Sequence, residues 1–108
     1  MLYITIDDFY RDAASCASMS RDEERLCARQ MATGDASARE RLIRSYLPFV
    51  AASIKHAPAH MQGLSLVLSC RQALEKSVDS FDFLQDSESF SHRLSWAMRQ
   101  EVVKQIAK

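Results

Sequence analysis

The sequence predicts an all-α protein, a compact helical bundle of about five helices in one domain. Three observations carry that reading: apolar residues recur at three- and four-residue spacing, helix-starting and helix-stopping residues separate the periodic stretches, and only 2 Gly and 2 Pro occur in 108 residues. Sandwiches and barrels need more turn-forming residues than that. An apolar share of 47% with 26% charged residues suits a single hydrophobic core, and the length falls short of two domains of ordinary size.

A first helix is expected after Thr5, because a hydroxyl there accepts from free amides and Asp7 and Asp8 suit the positive end of a helix. Its apolar positions are Ile6, Phe9, Tyr10 and Ala13, and it is expected to end near Ser18. Residues 1–19 are therefore read as an N-terminal helix packing on a bundle formed by residues 20–108. Ser20-Arg-Asp-Glu23 fits a capping box and starts a second helix running to about Met31. Thr33-Gly34-Asp35 breaks it. Asp35 caps a third helix, whose apolar residues Leu42, Ile43, Tyr46, Leu47, Val50 and Ile54 make it the main core helix. Pro48 lies inside this helix and removes an amide donor, which costs about 3 kcal/mol in a helix interior, so a kink is expected there.

Residues 57–63, with Pro58 and Gly63, read as a loop. Ser65 is the expected cap of a fourth helix with Val67, Cys70, Leu74, Val78 and Phe81 along one face. A polar, acidic connection over residues 83–89 leads to the last helix, where Phe90, Leu94, Ala97, Met98, Val102 and Ile106 form the expected buried stripe.

The charges balance at 14 basic against 14 acidic residues, so any contact with nucleic acid must come from a local patch. Residues 90–108 supply one: Arg93, Arg99, Lys104 and Lys108 stand there against Glu101 alone. Cys16, Cys27 and Cys70 are odd in number, widely spaced and without a C-x-x-C pair, which argues against a disulfide framework or a zinc site. Reduced thiols are expected, with Cys70 packed on the apolar face of its helix. The sequence opens without a basic-then-apolar segment, and no apolar run approaches the roughly 18 residues of a membrane span. A cytoplasmic protein without membrane contact is expected.

His56 and His60 are separated by Pro58 and lack a third ligand, so they read as solvated loop residues, and no metal or cofactor is expected. Asp79 and Asp82 read as turn or capping residues. Nothing resembles a nucleophile elbow, a phosphate loop or a clustered carboxylate site, so an enzyme is not expected.

Three segments occur in a telling order. Gly34-Asp35, Ala38-Arg39-Glu40-Arg41-Leu42-Ile43 and Tyr46-Leu47-Pro48-Phe49-Val50 are similar to the pattern "GD..A...LI..NL.LV". Lys76-Ser-Val-Asp-Ser-Phe-Asp82 is similar to "KAVDKFD", and Phe90-Ser91 with Trp96, Met98, Arg99, Gln100 and Ile106 to "FSTYA.WWIRQAI". Over roughly four-fifths of the chain, from about Ser20 to Lys108, this order resembles the second conserved region of bacterial RNA polymerase sigma factors. The resemblance implies an all-helical domain. It also implies a helix pair that binds a coiled coil of the polymerase's largest subunit, and a following helix that recognises and opens the promoter's upstream melting element.

By this resemblance the polymerase-facing residues are Ser65, Leu68, Ser69, Gln72 and Glu75. Where the family reads "DLIQEG", this chain reads Ser65-Leu-Val-Leu-Ser-Cys70, so two acids and a glutamine are replaced by Ser65, Ser69 and Leu68. In the last helix, Arg93 stands in place of a tyrosine and Ala97 in place of the second tryptophan.

At about 100° per residue, Trp96 falls nearly opposite Leu94 and Met98. It shares its face with His92, Arg93, Arg99, Gln100, Val103 and Lys104. An aromatic ring stacks on a base for about 1–3 kcal/mol, cations follow phosphates, and a glutamine amide pairs with an adenine edge, so these seven residues are the expected DNA contacts. The plain alternative is that Trp96 covers the acidic connection while the charges solvate an exposed helix.

Two functions are expected from these features. One is a transcription-initiation protein of the sigma type, with core RNA polymerase and promoter DNA as partners. It would dock through the third and fourth helices, touch DNA through the fifth, and take the family's helix-turn-helix domain from a second chain or further sequence. The other is a sigma-like interaction module or regulator that has lost promoter opening.

Overall fold

A computed structural model describes residues 3–84 and 89–107. Met1, Leu2, Lys108 and residues 85–88 of the acidic connection lie outside the described residues. Every extended element among the described residues is helical: α1 (Ile6–Ala14), α2 (Arg21–Ala32), α3 (Ala36–Ser45), α4 (Leu47–Lys55), α5 (Leu64–Ser80) and α6 (Phe90–Ile106). A single 3-10 turn, Ala59–Met61, sits in the expected loop.

The helix starts follow local chemistry closely. Thr5 and Asp8 form a reciprocal pair, in which the Asp8 amide donates to Thr5 Oγ1 at 3.3 Å and the Thr5 amide donates to Asp8 Oδ2 at 2.9 Å. Ser20 and Glu23 do the same for α2, at 3.2 and 3.0 Å. Asp35 accepts from the Ala38 amide at 3.1 Å after Gly34 turns the chain at φ 94°, a conformation glycine adopts without strain. Ser89 accepts from the His92 amide at 3.1 Å and so starts α6.

Four sequence expectations are corrected. Helix α1 stops at Ala14 rather than near Ser18, because the side chains of Ser15 and Cys16 both turn back and donate to the Asp12 carbonyl, at 2.6 and 3.4 Å. The third helix is two helices instead of one kinked rod. Tyr46 leaves helical geometry at φ −102°, ψ 0°, and Pro48 then falls in the first turn of α4, where its missing amide costs nothing. Helix α5 is preceded by Gly63 in extended conformation and has no side-chain cap, so Ser65 lies inside the helix. The loop before it is held instead by the Gln62 amide, which donates to the carbonyls of Lys55 and Ala57 at 3.2 and 2.9 Å.

The fourth correction concerns α6. Phe90, Leu94 and Met98 are buried, Ala97 and Val102 are half-buried, and Ile106 is 63% exposed. Each i to i+4 step turns the side chain by about 40°, so a strict four-residue series rotates off the core within four turns. Near the C-terminus the inward positions pass to Glu101, whose side chain is 15% exposed, and to Gln105, which donates to Ser69 Oγ at 3.3 Å.

The core is continuous. Phe9 of α1, Leu42 and Ile43 of α3, Leu47, Val50 and Ile54 of α4, Cys70, Leu74 and Val78 of α5, and Leu94 of α6 all have essentially no exposed surface. Burial pushes the Cys70 thiol up to about 12, with Glu101 adding to the effect, so it behaves as an apolar filler. Helix α1 seats Phe9 and Ala13 against α4 and α5. Ion pairs brace the outside. Arg39 grips Asp79 with two bonds of 2.7 and 2.9 Å, tying α3 to the end of α5, and Arg71 of α5 reaches Glu40 at 3.0 Å. Asp12 accepts from Arg44 at 2.8 Å and from the Tyr3 hydroxyl at 2.6 Å.

Two outcomes test this packing. Phe90→Ala, at a 4% exposed site, is expected to lower unfolding free energy by about 3–5 kcal/mol in urea titration, whereas Trp96→Ala, 60% exposed, shifts it by no more than about 0.5 kcal/mol. The Arg44 hydrogen bonds hold the Asp12 carboxyl below the usual range, with Tyr3 adding to the effect. Such a depressed group stabilises the fold above its unfolded pKa of about 3.9 and loses that contribution as pH falls through the folded value. Stability is therefore expected to fall below about pH 4, and Asp12→Asn is expected to flatten that acid limb while losing about 1–3 kcal/mol at neutral pH.

Candidate nucleic-acid interface

The surface of α6 is set by how its first turn is anchored. Four aromatic rings meet there: Phe90 lies 4.8 Å from Tyr46, 5.2 Å from Phe81 and 4.9 Å from Phe83, centroid to centroid, and Phe81 and Phe83 are 4.9 Å apart. Most of these contacts are edge-to-face, the arrangement ring quadrupoles favour. Asp82 shapes the turn that carries two of the rings, its carboxylate accepting from the Leu84 amide at 3.0 Å. The Tyr46 hydroxyl donates to Glu24 of α2, and burial with that carboxylate raises its pKa. Phe90 is thus fixed in orientation, and so is the face opposite to it.

That outward face carries the seven residues expected from the sequence. His92, Arg93, Trp96, Arg99, Val103 and Lys104 are exposed, and Gln100 is half-buried. Trp96 keeps 60% of its surface exposed while Leu94 and Met98 on the other side of the helix have 0% and 2%. A large ring is therefore available for stacking. The Arg93 guanidinium sits 5.5 Å from the centroid of Phe81, which tethers one flank of the face to the aromatic cluster. Lys104 shares its charge with Glu101 at 3.0 Å, so Arg93 and Arg99 provide most of the positive field. Described residues 90–107 hold three cations against this one acid.

The five residues of the expected polymerase-facing set lie on α5. Ser65, Leu68 and Gln72 are exposed, with Leu68 at 60%. Ser69 and Glu75 are half-buried and used internally: Ser69 accepts from Gln105, and Glu75 pairs with Arg71 at 3.4 Å. The outward part of this face is consequently small, neutral and centred on an aliphatic side chain. Helices α5 and α6 run antiparallel, since Ser69 meets Gln105 at one end and Phe81 meets Phe90 at the other. The two faces belong to neighbouring antiparallel helices.

Two concavities beside α6 are invisible in the sequence because each joins distant segments. A cavity of about 160 Å³ at its first turn is lined by Arg21, Glu24, Arg25, Tyr46, Phe83, Ser89, Phe90 and Ser91. A shallower groove of about 370 Å³ runs between the end of α4 and α6, with His56, Pro58, Met98, Arg99 and Val102 among its walls. Arg21 and Arg25 thereby add two cations near the start of the exposed face. Their spacing along α2 was visible, but their proximity to Ser89 depends on Tyr46 joining α2 to α6. His56 and His60 are both exposed, and no group of three possible metal ligands exists among the described residues.

Compared with models of known protein families and with curated proteins, the chain matches none significantly. Among the described residues, no helix is long and apolar enough to cross a membrane.

Proposed function

We propose that this chain is a transcription-initiation protein of the sigma-factor type, touching promoter DNA through α6 and core RNA polymerase through α5. The observation that carries this reading is the exposed Trp96, set among Arg93, Arg99 and Gln100 on the face of α6 turned away from the core. A ring, two guanidinium groups and an amide are the parts needed to hold an unpaired base and its phosphates. The order of segments resembling sigma region 2 supports the same reading, as does the all-helical fold that carries them.

A second reading has one observation in its favour. On α5 the expected docking face keeps one partly exposed acid, Glu75, which is paired with Arg71 of the same helix, because Ser65 and Ser69 replace carboxylates. Charged contacts across interfaces contribute strongly when desolvated, and the loss of two of these acids favours an interaction module that keeps the fold without promoter opening.

Fluorescence anisotropy with a labelled single strand carrying a TATAAT element tests the first reading. Binding is expected, with Trp96→Ala and Arg99→Ala each weakening it by about 1–3 kcal/mol, roughly 5- to 150-fold. Unchanged affinity in both variants would refute DNA contact by this face. Core polymerase is expected to retain the protein at low salt. Retention without any single-strand affinity selects the interaction module instead.

A further inference from the structure

The exposed face of α6 contains a pattern that runs on past the expected DNA contacts to Ile106. His92, Trp96, Arg99, Val103 and Ile106 follow one another at spacings of four, three, four and three residues, the repeat by which one helix packs along another. All five are exposed, and the three apolar members are strongly so, at 60%, 54% and 63% for Trp96, Val103 and Ile106. Successive positions in this repeat stay within about 40° of a common line, so they form a straight stripe about 21 Å long. Ile106 lies outside the expected DNA contacts, and neither it nor Val103 offers a hydrogen bond or a stacking surface, so phosphate and base recognition do not account for the apolar character of this row. Three exposed apolar side chains aligned along one face of a helix form a surface of the kind that binds protein.

The charges identify the occupant. Among the described residues on and beside the stripe, the basic side chains are His92, Arg93, Arg99 and Lys104, and the acid of α6, Glu101, is 15% exposed and paired with Lys104. A second copy of this chain would bring the same basic set against itself, and like charges oppose that pairing. The geometry points to α6 as the docking seam for an amphipathic helix of another protein, with aliphatic residues at four-three spacing and acidic residues opposite Arg99 and along its flank. Such a helix and a single strand need the same Trp96 and Arg99 surfaces, so bound partner excludes DNA. A seam of this length is a small interface, of the class that forms transient complexes.

Two labelled synthetic peptides of about 18 residues, enough for five turns, provide the test. Both carry leucines at four-three spacing; one has glutamates at the central and flanking positions, the other lysines. In anisotropy titrations with the full chain, the glutamate peptide is expected to bind at least about tenfold more tightly, and Arg99→Glu is expected to reverse that order. Ile106→Ser, exposed and outside the DNA-facing set, is expected to weaken the glutamate peptide about tenfold while leaving single-strand affinity within about twofold, with an unchanged helical circular dichroism spectrum. Equal binding of the two peptides, or no effect of Ile106→Ser on the glutamate peptide, overturns the proposal. So does concentration-dependent dimerisation in sedimentation velocity that Ile106→Ser abolishes, because the stripe would then serve a second copy. Loss of single-strand binding alone, with peptide discrimination intact, counts against the DNA reading and leaves the seam standing.

Discussion

Tyr46 joins four of the helices. Its backbone is the one non-helical residue between α3 and α4, its hydroxyl is bonded to Glu24 of α2, and its ring stands edge-on to Phe90 at the start of α6. Four helices therefore take their relative positions from one residue. Because α6 is otherwise held mainly against α5, the contact with Phe90 fixes how that helix is rolled. The roll decides which residues face out. A turn of one residue, about 100°, would carry Trp96 from solvent toward the core and bury a different set of charges.

The rest of the fold arranges itself around that constraint. A chain can change direction between two helices with a glycine, as at Gly34, or with a loop, as over residues 56–63. Between α3 and α4 it does so with one tyrosine, and the following proline is then harmless. The same aromatic cluster holds the Phe81-Asp82-Phe83 turn that ends α5, so both ends of the acidic connection are anchored even though its middle lies outside the described residues. Ion pairs such as Arg39 with Asp79 lie outside this cluster and reinforce it from the surface.

Helix starts were readable because a cap is a local event. Thr5, Ser20 and Asp35 each bond to an amide three residues away, and nothing distant is needed to infer it. Ser65 misled for the same reason: it has the right side chain, but the extended backbone of Gly63 had already started the helix. Periodicity identified Phe90, Leu94 and Met98 as core, yet it misplaced Ile106, since the inward positions of the last turns are set by which residues of α5 lie opposite. The outward face of α6 was legible as a wheel of residues. Its nearness to Arg21 and Arg25 was not, because that depends on a tyrosine contact across 44 residues of chain, from Tyr46 to Phe90. Nor was the internal use of Glu75 and Ser69, which only the positions of Arg71 and Gln105 reveal.

The chain has a single tryptophan, and it lies at the centre of the exposed face of α6 while the core is built from phenylalanine and aliphatic residues. With 60% of its surface exposed, the indole is expected to emit much as a solvated ring does, with only a small change on unfolding. Tryptophan fluorescence is thus a poor monitor of folding here and a selective optical probe of this one surface, able to follow in real time whatever comes to cover it.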